Sequence, residues 1–196
     1  MVAAGTLAAM TTLTSTIRNG VDTGQMYGTL DAIKAQPELG RFEFRARNEW
    51  LAGAHNRSTI QGFYGAGQED SSRVAPFVVD AGEPAILLGT DTGANPAEYL
   101  LHALAACLTT SIVYVAAARK VKLTSVESTL VGDMDVHGAL GVSDEVRNGF
   151  ERISASFRVT GEAPEEKLRE VVERAKARSA VFDMVSHGVP VEVTVG

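Results

Sequence analysis

The longest unbroken apolar pattern in the chain lies between Asn95 and Arg119, where Tyr99 to Ala118 contain no Asp, Glu, Lys or Arg. Asn95 suits an N-cap, Pro96 the first helical position, and Glu98 the positive end of a helix dipole. A helix is therefore predicted over 95–119, apolar on nearly every face. Such a helix either spans a bilayer or forms the centre of a core. Its many alanines, together with His102, Thr109, Thr110 and Ser111, make it less apolar than a single-pass span, and amphipathic segments follow it. The core reading is preferred, with no membrane as partner.

Around this helix the period of the pattern changes. Met26, Leu30 and Ile33 recur at helical spacing, and Pro37 would stop that short amphipathic helix. Residues 1–20 carry no period and read as a frayed or weakly docked terminus. Phe42, Phe44 and Ala46 alternate with Glu43, Arg45 and Arg47, which predicts a half-buried strand over 41–50. A turn at 53–56 leads into a returning strand at 58–63, then a polar loop at 64–70, a third strand at 74–80 and a short apolar stretch at 86–89. Beyond the long helix, strands are predicted at 125–136 and 150–159, joined as a hairpin by a polar connection. Pro164 opens a second helix whose stripe is Leu168, Val171, Val172 and Ala175. Residues 179–187 read as an irregular bend, and 189–195 as a closing strand.

Strands that come in hairpins, separated by two helices, define an α+β fold with antiparallel sheets. The domain boundary is placed at residue 40: an N-terminal appendage over 1–40 and the main domain over 41–196.

Charge and cysteine content narrow the function. A net charge of −6 argues against nonspecific nucleic-acid binding, which needs clustered Lys and Arg. One cysteine excludes an internal disulfide and a multi-cysteine metal cluster, and fits a reducing compartment. The N-terminus lacks the basic region of a signal peptide, so a cytoplasmic location is expected.

Few motifs carry chemistry. Gly62, Gly65 and Gly67 have the wrong spacing for a dinucleotide fingerprint, and no P-loop exists. His55, His102, His137 and His187 stand apart without a metal-binding pattern, and His102 is expected to satisfy one nitrogen inside the core. Neither a metal nor another cofactor is expected. Ser179, Asp183, Ser186 and His187 supply the residue types of a hydrolase triad, but no nucleophile elbow presents them. Cys107 is the sharper candidate. In an apolar helix it is either a small inert core residue or, given a nearby cation, a reactive thiolate.

Asn95-Pro96-Ala97-Glu98 opening the long helix, Leu104-Ala105-Ala106-Cys107 within it, and Pro190-Val191-Glu192-Val193-Thr194-Val195 closing the chain resemble the OsmC/Ohr family of thiol-dependent peroxidases. The resemblance covers about residues 40–196. It implies an intertwined homodimer in which antiparallel sheets wrap two long central helices, with each active site at the subunit interface. It also implies that Cys107 is the peroxidatic cysteine, that Arg57 is the arginine from the N-terminal hairpin that lowers the thiol pKa, and that a glutamate near the helix start assists. Two positions depart from that pattern. Ala97 stands where the Ohr branch has its glutamate, with Glu98 one step further round the helix, and Ser179 stands where the resolving cysteine belongs. The expected function is organic hydroperoxide reduction through Cys107 alone, resolved by an external low-molecular-weight or protein thiol. The alternative is a non-catalytic binding or structural dimer on the same scaffold.

Overall fold

The computed structural model describes residues 17–196. It opens with a two-stranded hairpin, β1 (Ile17–Arg18) and β2 (Val21–Asp22), turning on Asn19 and Gly20, both at positive φ. Paired positive φ values give the tight turn whose twist matches antiparallel strands. The Asp22 carboxylate caps the helix α1 (Thr23–Ala35) by accepting from the N–H groups of Gly24 and Gln25, and the helix ends before Pro37. The part of the predicted frayed terminus at 1–16 lies outside the described residues.

Two small antiparallel sheets follow. One contains β4 (Arg47–Ala52), β5 (His55–Ile60) and β8 (Phe77–Ala81), in the order β4-β5-β8. The other contains β3 (Glu43–Phe44), β6 (Phe63–Gly65) and β7 (Gln68–Asp70), in the order β3-β6-β7. The single strand expected over 41–50 is thus two, because the chain leaves one sheet for the other at Arg45 and Ala46. Arg45 sits at the crossing with its guanidinium on Glu43 and Glu69. The expected polar loop at 64–70 is the β6–β7 hairpin, turning on Ala66 and Gly67 at positive φ. Its polar composition reflects exposure, not irregularity.

The long apolar helix is α2 (Pro96–Ala118). The Asn95 side chain accepts from the N–H groups of Ala97 and Glu98, and the Glu98 carboxylate accepts from the Asn95 N–H at 2.8 Å, a reciprocal capping box. At the other end Lys120 adopts positive φ and the Val121 N–H bonds back to the Ala116 carbonyl. The N-terminal elements serve the last carbonyls, which have no partner inside the helix. Arg18 donates to Ala117, Tyr27 to Ala118, and the Asn19 amide bridges the backbone of Val121 and Leu123.

The second half comprises β9 (Leu123–Asp133), a short turn of helix α3 (Val136–Ala139), β10 (Arg152–Gly161) antiparallel to β9, α4 (Glu165–Lys176) and α5 (Ala180–His187). The bend expected at 179–187 is therefore a helix, with Ser179 as its N-cap. The closing strand expected at 189–195 is not formed. The alternation is real, but the segment pairs with no strand among the described residues, and Val191, Val193 and Val195 are 77%, 85% and 96% exposed.

Only one face of α2 is covered. Leu104, Leu108, Ile112 and Ala116, one per turn, are buried, and Ile112 and Ala116 join Val121, Leu168, Val171 and Ala175 in the core. On the opposite side His102, Ala106, Thr110 and Tyr114 are exposed. The whole chain exposes 14659 Å², against about 8,900 Å² for a compact monomer of this length. Residues 1–16, even at the roughly 160 Å² per residue of a fully extended chain, account for less than half of that excess. Trp50, Phe44, Phe77, Ile86 and Leu88 contribute large apolar areas to it.

Candidate active site

Cys107 lies on α2 at the margin of its buried face, beside Leu108 and one turn after Leu104, and its thiol is free and half-buried. Facing it is the junction between α4 and α5. Ser179, 2% exposed, places its hydroxyl 3.2 Å from the Cys107 sulfur and donates to it. The same hydroxyl oxygen accepts from the Phe182 N–H at 3.3 Å, as an N-cap does. A hydroxyl has one proton to give, and here it is aimed at sulfur. Among the described residues this is the single hydrogen bond to the thiol.

The remaining triad-type residues do not join this contact. His187 pairs with Asp183 at 3.1 Å on an exposed face of α5, leaving Ser179 to Cys107. A cleft of about 400 Å³ opens between α2, α4, α5 and β10. Leu104, Leu108, Ile112, Phe157 and Phe182 form much of its wall, with Lys176 at the rim.

Arg57 is placed differently. It sits on β5 directly opposite Asp80 of β8, with Nε 2.9 Å and Nη2 3.2 Å from the two carboxylate oxygens. His55, two residues earlier on the same face of the strand, puts Nε2 2.9 Å from Asp80 Oδ1. The hydrogen bond from Arg57, then that from His55, holds the Asp80 carboxyl below the usual carboxylate range, and Asp80 in turn raises the Arg57 guanidinium. Arg57 makes no polar contact with Cys107 within the chain.

The sheet carrying this cluster is tied to the start of α2. The Tyr99 hydroxyl donates to the Asp80 carbonyl at 2.7 Å, the Gly82 N–H bonds to the Ala94 carbonyl, and the Asn95 amide bonds to Glu83 at 2.9 Å. Gly93 passes so close to the Asp80 backbone that a Cβ there would lie 2.2 Å from its carbonyl oxygen. Glu98 belongs to this tether through its capping bond and is exposed. His102, expected inside the core, is on the exposed face of α2. The expectation fails because an all-apolar helix has no intrinsic inside, and in this chain the covered face is the one bearing Leu104 and Leu108. Among the described residues no group of three or more His, Cys, Asp and Glu is arranged to hold a metal ion.

These features coincide with a known family. Residues 89–194 match the model of the OsmC-like proteins, more than half of the chain, and the protein belongs to that family. Solved structures share the fold. An OsmC-like protein from Mycoplasma pneumoniae superposes with a TM-score of 0.57 at 13% identity, covering 74% of this chain and 88% of its own. A hypothetical protein from Aquifex aeolicus gives 0.52 at 17% identity, covering 73% and 86%. An organic hydroperoxide resistance protein from Legionella pneumophila gives 0.50 at 16% identity, covering 74% and 90%. No curated protein matches the sequence. The α+β fold with antiparallel sheets beside a long apolar helix is thus the OsmC/Ohr fold.

Two participants escape a reading of the sequence. Asp80 becomes visible as a partner of Arg57 only through the register of β5 with β8, which the sequence does not print. His55 could have been found, since His55 and Arg57 alternate on one strand face, but it falls at a predicted turn. Ser179 is legible as a position. Its contact with a residue 72 places away is not.

Proposed function

We propose that this protein is a cytoplasmic one-cysteine organic hydroperoxide reductase that works as a homodimer. The observation that carries the reading is the Ser179 hydroxyl 3.2 Å from the Cys107 sulfur, where the family resemblance places a resolving thiol. A hydroxyl at that point supports the thiolate and cannot form a disulfide. In the first step the Cys107 thiolate attacks one oxygen of ROOH; the O–O bond breaks, the sulfur is oxidised to the sulfenic acid, and the alcohol ROH leaves with a proton taken from solvent. An external thiol R′SH then condenses with the sulfenic acid, releasing water and leaving a mixed disulfide. A second R′S⁻ attacks that disulfide, returns the Cys107 thiolate and departs as R′SSR′. The apolar cleft beside Leu104 and Leu108 suits an alkyl substituent R.

The homodimer supplies what one chain lacks. The bare face of α2, the unpaired segment 189–195 and the exposed apolar residues of the N-terminal sheets are surfaces that a second copy would cover. It would also bring an Arg57 guanidinium, already fixed by Asp80, toward the Cys107 of its partner, where a cation favours the thiolate. Glu98 contributes by fixing the helix start to which the Arg57 sheet is tied.

The test is an alkyl hydroperoxide assay with trapping of the sulfenic acid by mass spectrometry. The expected outcome is one adduct on Cys107 and no turnover by Cys107→Ser; absence of the adduct, or equal turnover by that variant, ends the proposal. A second reading, a non-catalytic binding or structural dimer, is favoured by the lack of any cation contacting Cys107 within the described residues. It predicts slow alkylation at neutral pH, and rapid labelling would count against it.

A further inference from the structure

In this fold, with its resolving position filled by serine, Ser179 does more than fill space. It is nearly fully buried, and both of its hydroxyl's main capacities are assigned: a lone pair accepts the Phe182 N–H, and the proton points at Cys107. A hydroxyl that accepts from a helix N-terminus is polarised toward giving up its own proton in a hydrogen bond. The α5 amide, the Ser179 hydroxyl and the Cys107 sulfur therefore form a short relay. It passes part of the positive end of α5 to a sulfur that has no other hydrogen-bond donor among the described residues.

We infer that Ser179 is the positioning residue of the Cys107 sulfur, directing it through this relay and donating to its thiolate form. The inference rests on the one-cysteine reading of the site and extends it. A thiol gains little from such a donor because sulfur is a weak acceptor, whereas a thiolate gains a charge-assisted bond. The bond thus separates the two protonation states and makes the reactive form available at lower pH.

Alkylation of Cys107 by iodoacetamide as a function of pH reads this directly, without any peroxide. In Ser179→Ala and Ser179→Gly the midpoint of the rate profile is expected to move up by about one pH unit, the scale of one charge-assisted hydrogen bond. Ser179→Thr, which keeps the hydroxyl, should stay near the wild type. The glycine variant separates this role from capping, because glycine is nearly as good an N-cap as serine whereas alanine is a poor one. If glycine leaves the midpoint unmoved and only alanine alters the protein, Ser179 is a structural cap and the inference is overturned. Turnover of an alkyl hydroperoxide is measured in parallel on the wild type. A shifted midpoint in a protein that never turns over peroxide retires the peroxidase reading and still supports the relay.

Discussion

Arg57 and Asp80 face each other across β5 and β8, and the carboxylate grips the guanidinium at 2.9 and 3.2 Å while also accepting from His55. The pair lies on a sheet that shares no core with α2, so its fixity depends on the polar tether through Tyr99 and Asn95.

The first prediction concerns acid. Because Asp80 is held below the value of about 3.9 that an unfolded chain would show, its contribution to stability is complete above that pH and is lost as pH falls through the lower folded-state value. Thermal melts of the wild type from pH 7 to pH 2 should therefore show a drop beginning near pH 4, and Asp80→Asn should be less stable at pH 7 with a shallower acid drop. Identical acid profiles would show the pair to be energetically silent.

The second concerns the tether. Gly93→Ala forces a methyl group against the Asp80 carbonyl, which also accepts from Tyr99. The backbone there cannot yield as a flexible side chain would, and a cost of about 1–3 kcal/mol is expected. Tyr99→Phe should cost about 1 kcal/mol by removing one hydrogen bond. Chemical denaturation curves check both, and a glycine variant as stable as the wild type would contradict the close approach.

The third converts the chemistry. Ser179→Cys places a second sulfur where a hydroxyl already touches Cys107. Peroxide treatment should then produce a disulfide between Cys107 and the introduced thiol, seen as the loss of two hydrogens in the intact mass. A sulfenic acid that persists and is trapped in this variant would mean that the two positions do not meet in solution.

The fourth concerns assembly. Removing residues 189–196 takes away Val189, Val191, Val193 and Val195, all exposed in the single chain. If a second copy pairs with this segment, light scattering should find a dimer for the full chain and a weakened one for the truncated chain. A full-length monomer would refute the dimer altogether.

The hydrophobic pattern made α2 plain because Asn95, Pro96 and Glu98 mark its start and no charge interrupts it. The α4 stripe was equally plain, and Leu168, Val171 and Ala175 are buried as its period required. Residues 179–187 are too short to show a long period and so resemble a bend, although Ser179 with Asp183 in the following turn is a helix-start signal. The segment 189–195 shows the opposite failure, since its period is that of a strand and it pairs with none of the strands among the described residues.

What the sequence by itself determined was therefore local: the helices α1, α2 and α4, the hairpins β4–β5 and β9–β10, the family likeness carried by the motifs at Asn95, Cys107 and Pro190, and the absence of a second cysteine. Hydrogen bonding and burial periods within a few residues suffice for these. What only the tertiary structure decided was which distant side chains meet. Ser179 reaches Cys107 because α4 and α5 fold back onto α2, and Asp80 reaches Arg57 because two strands align in one register. Both contacts join residues more than twenty positions apart, whose meeting depends on the packing of whole elements and leaves no period in the chain.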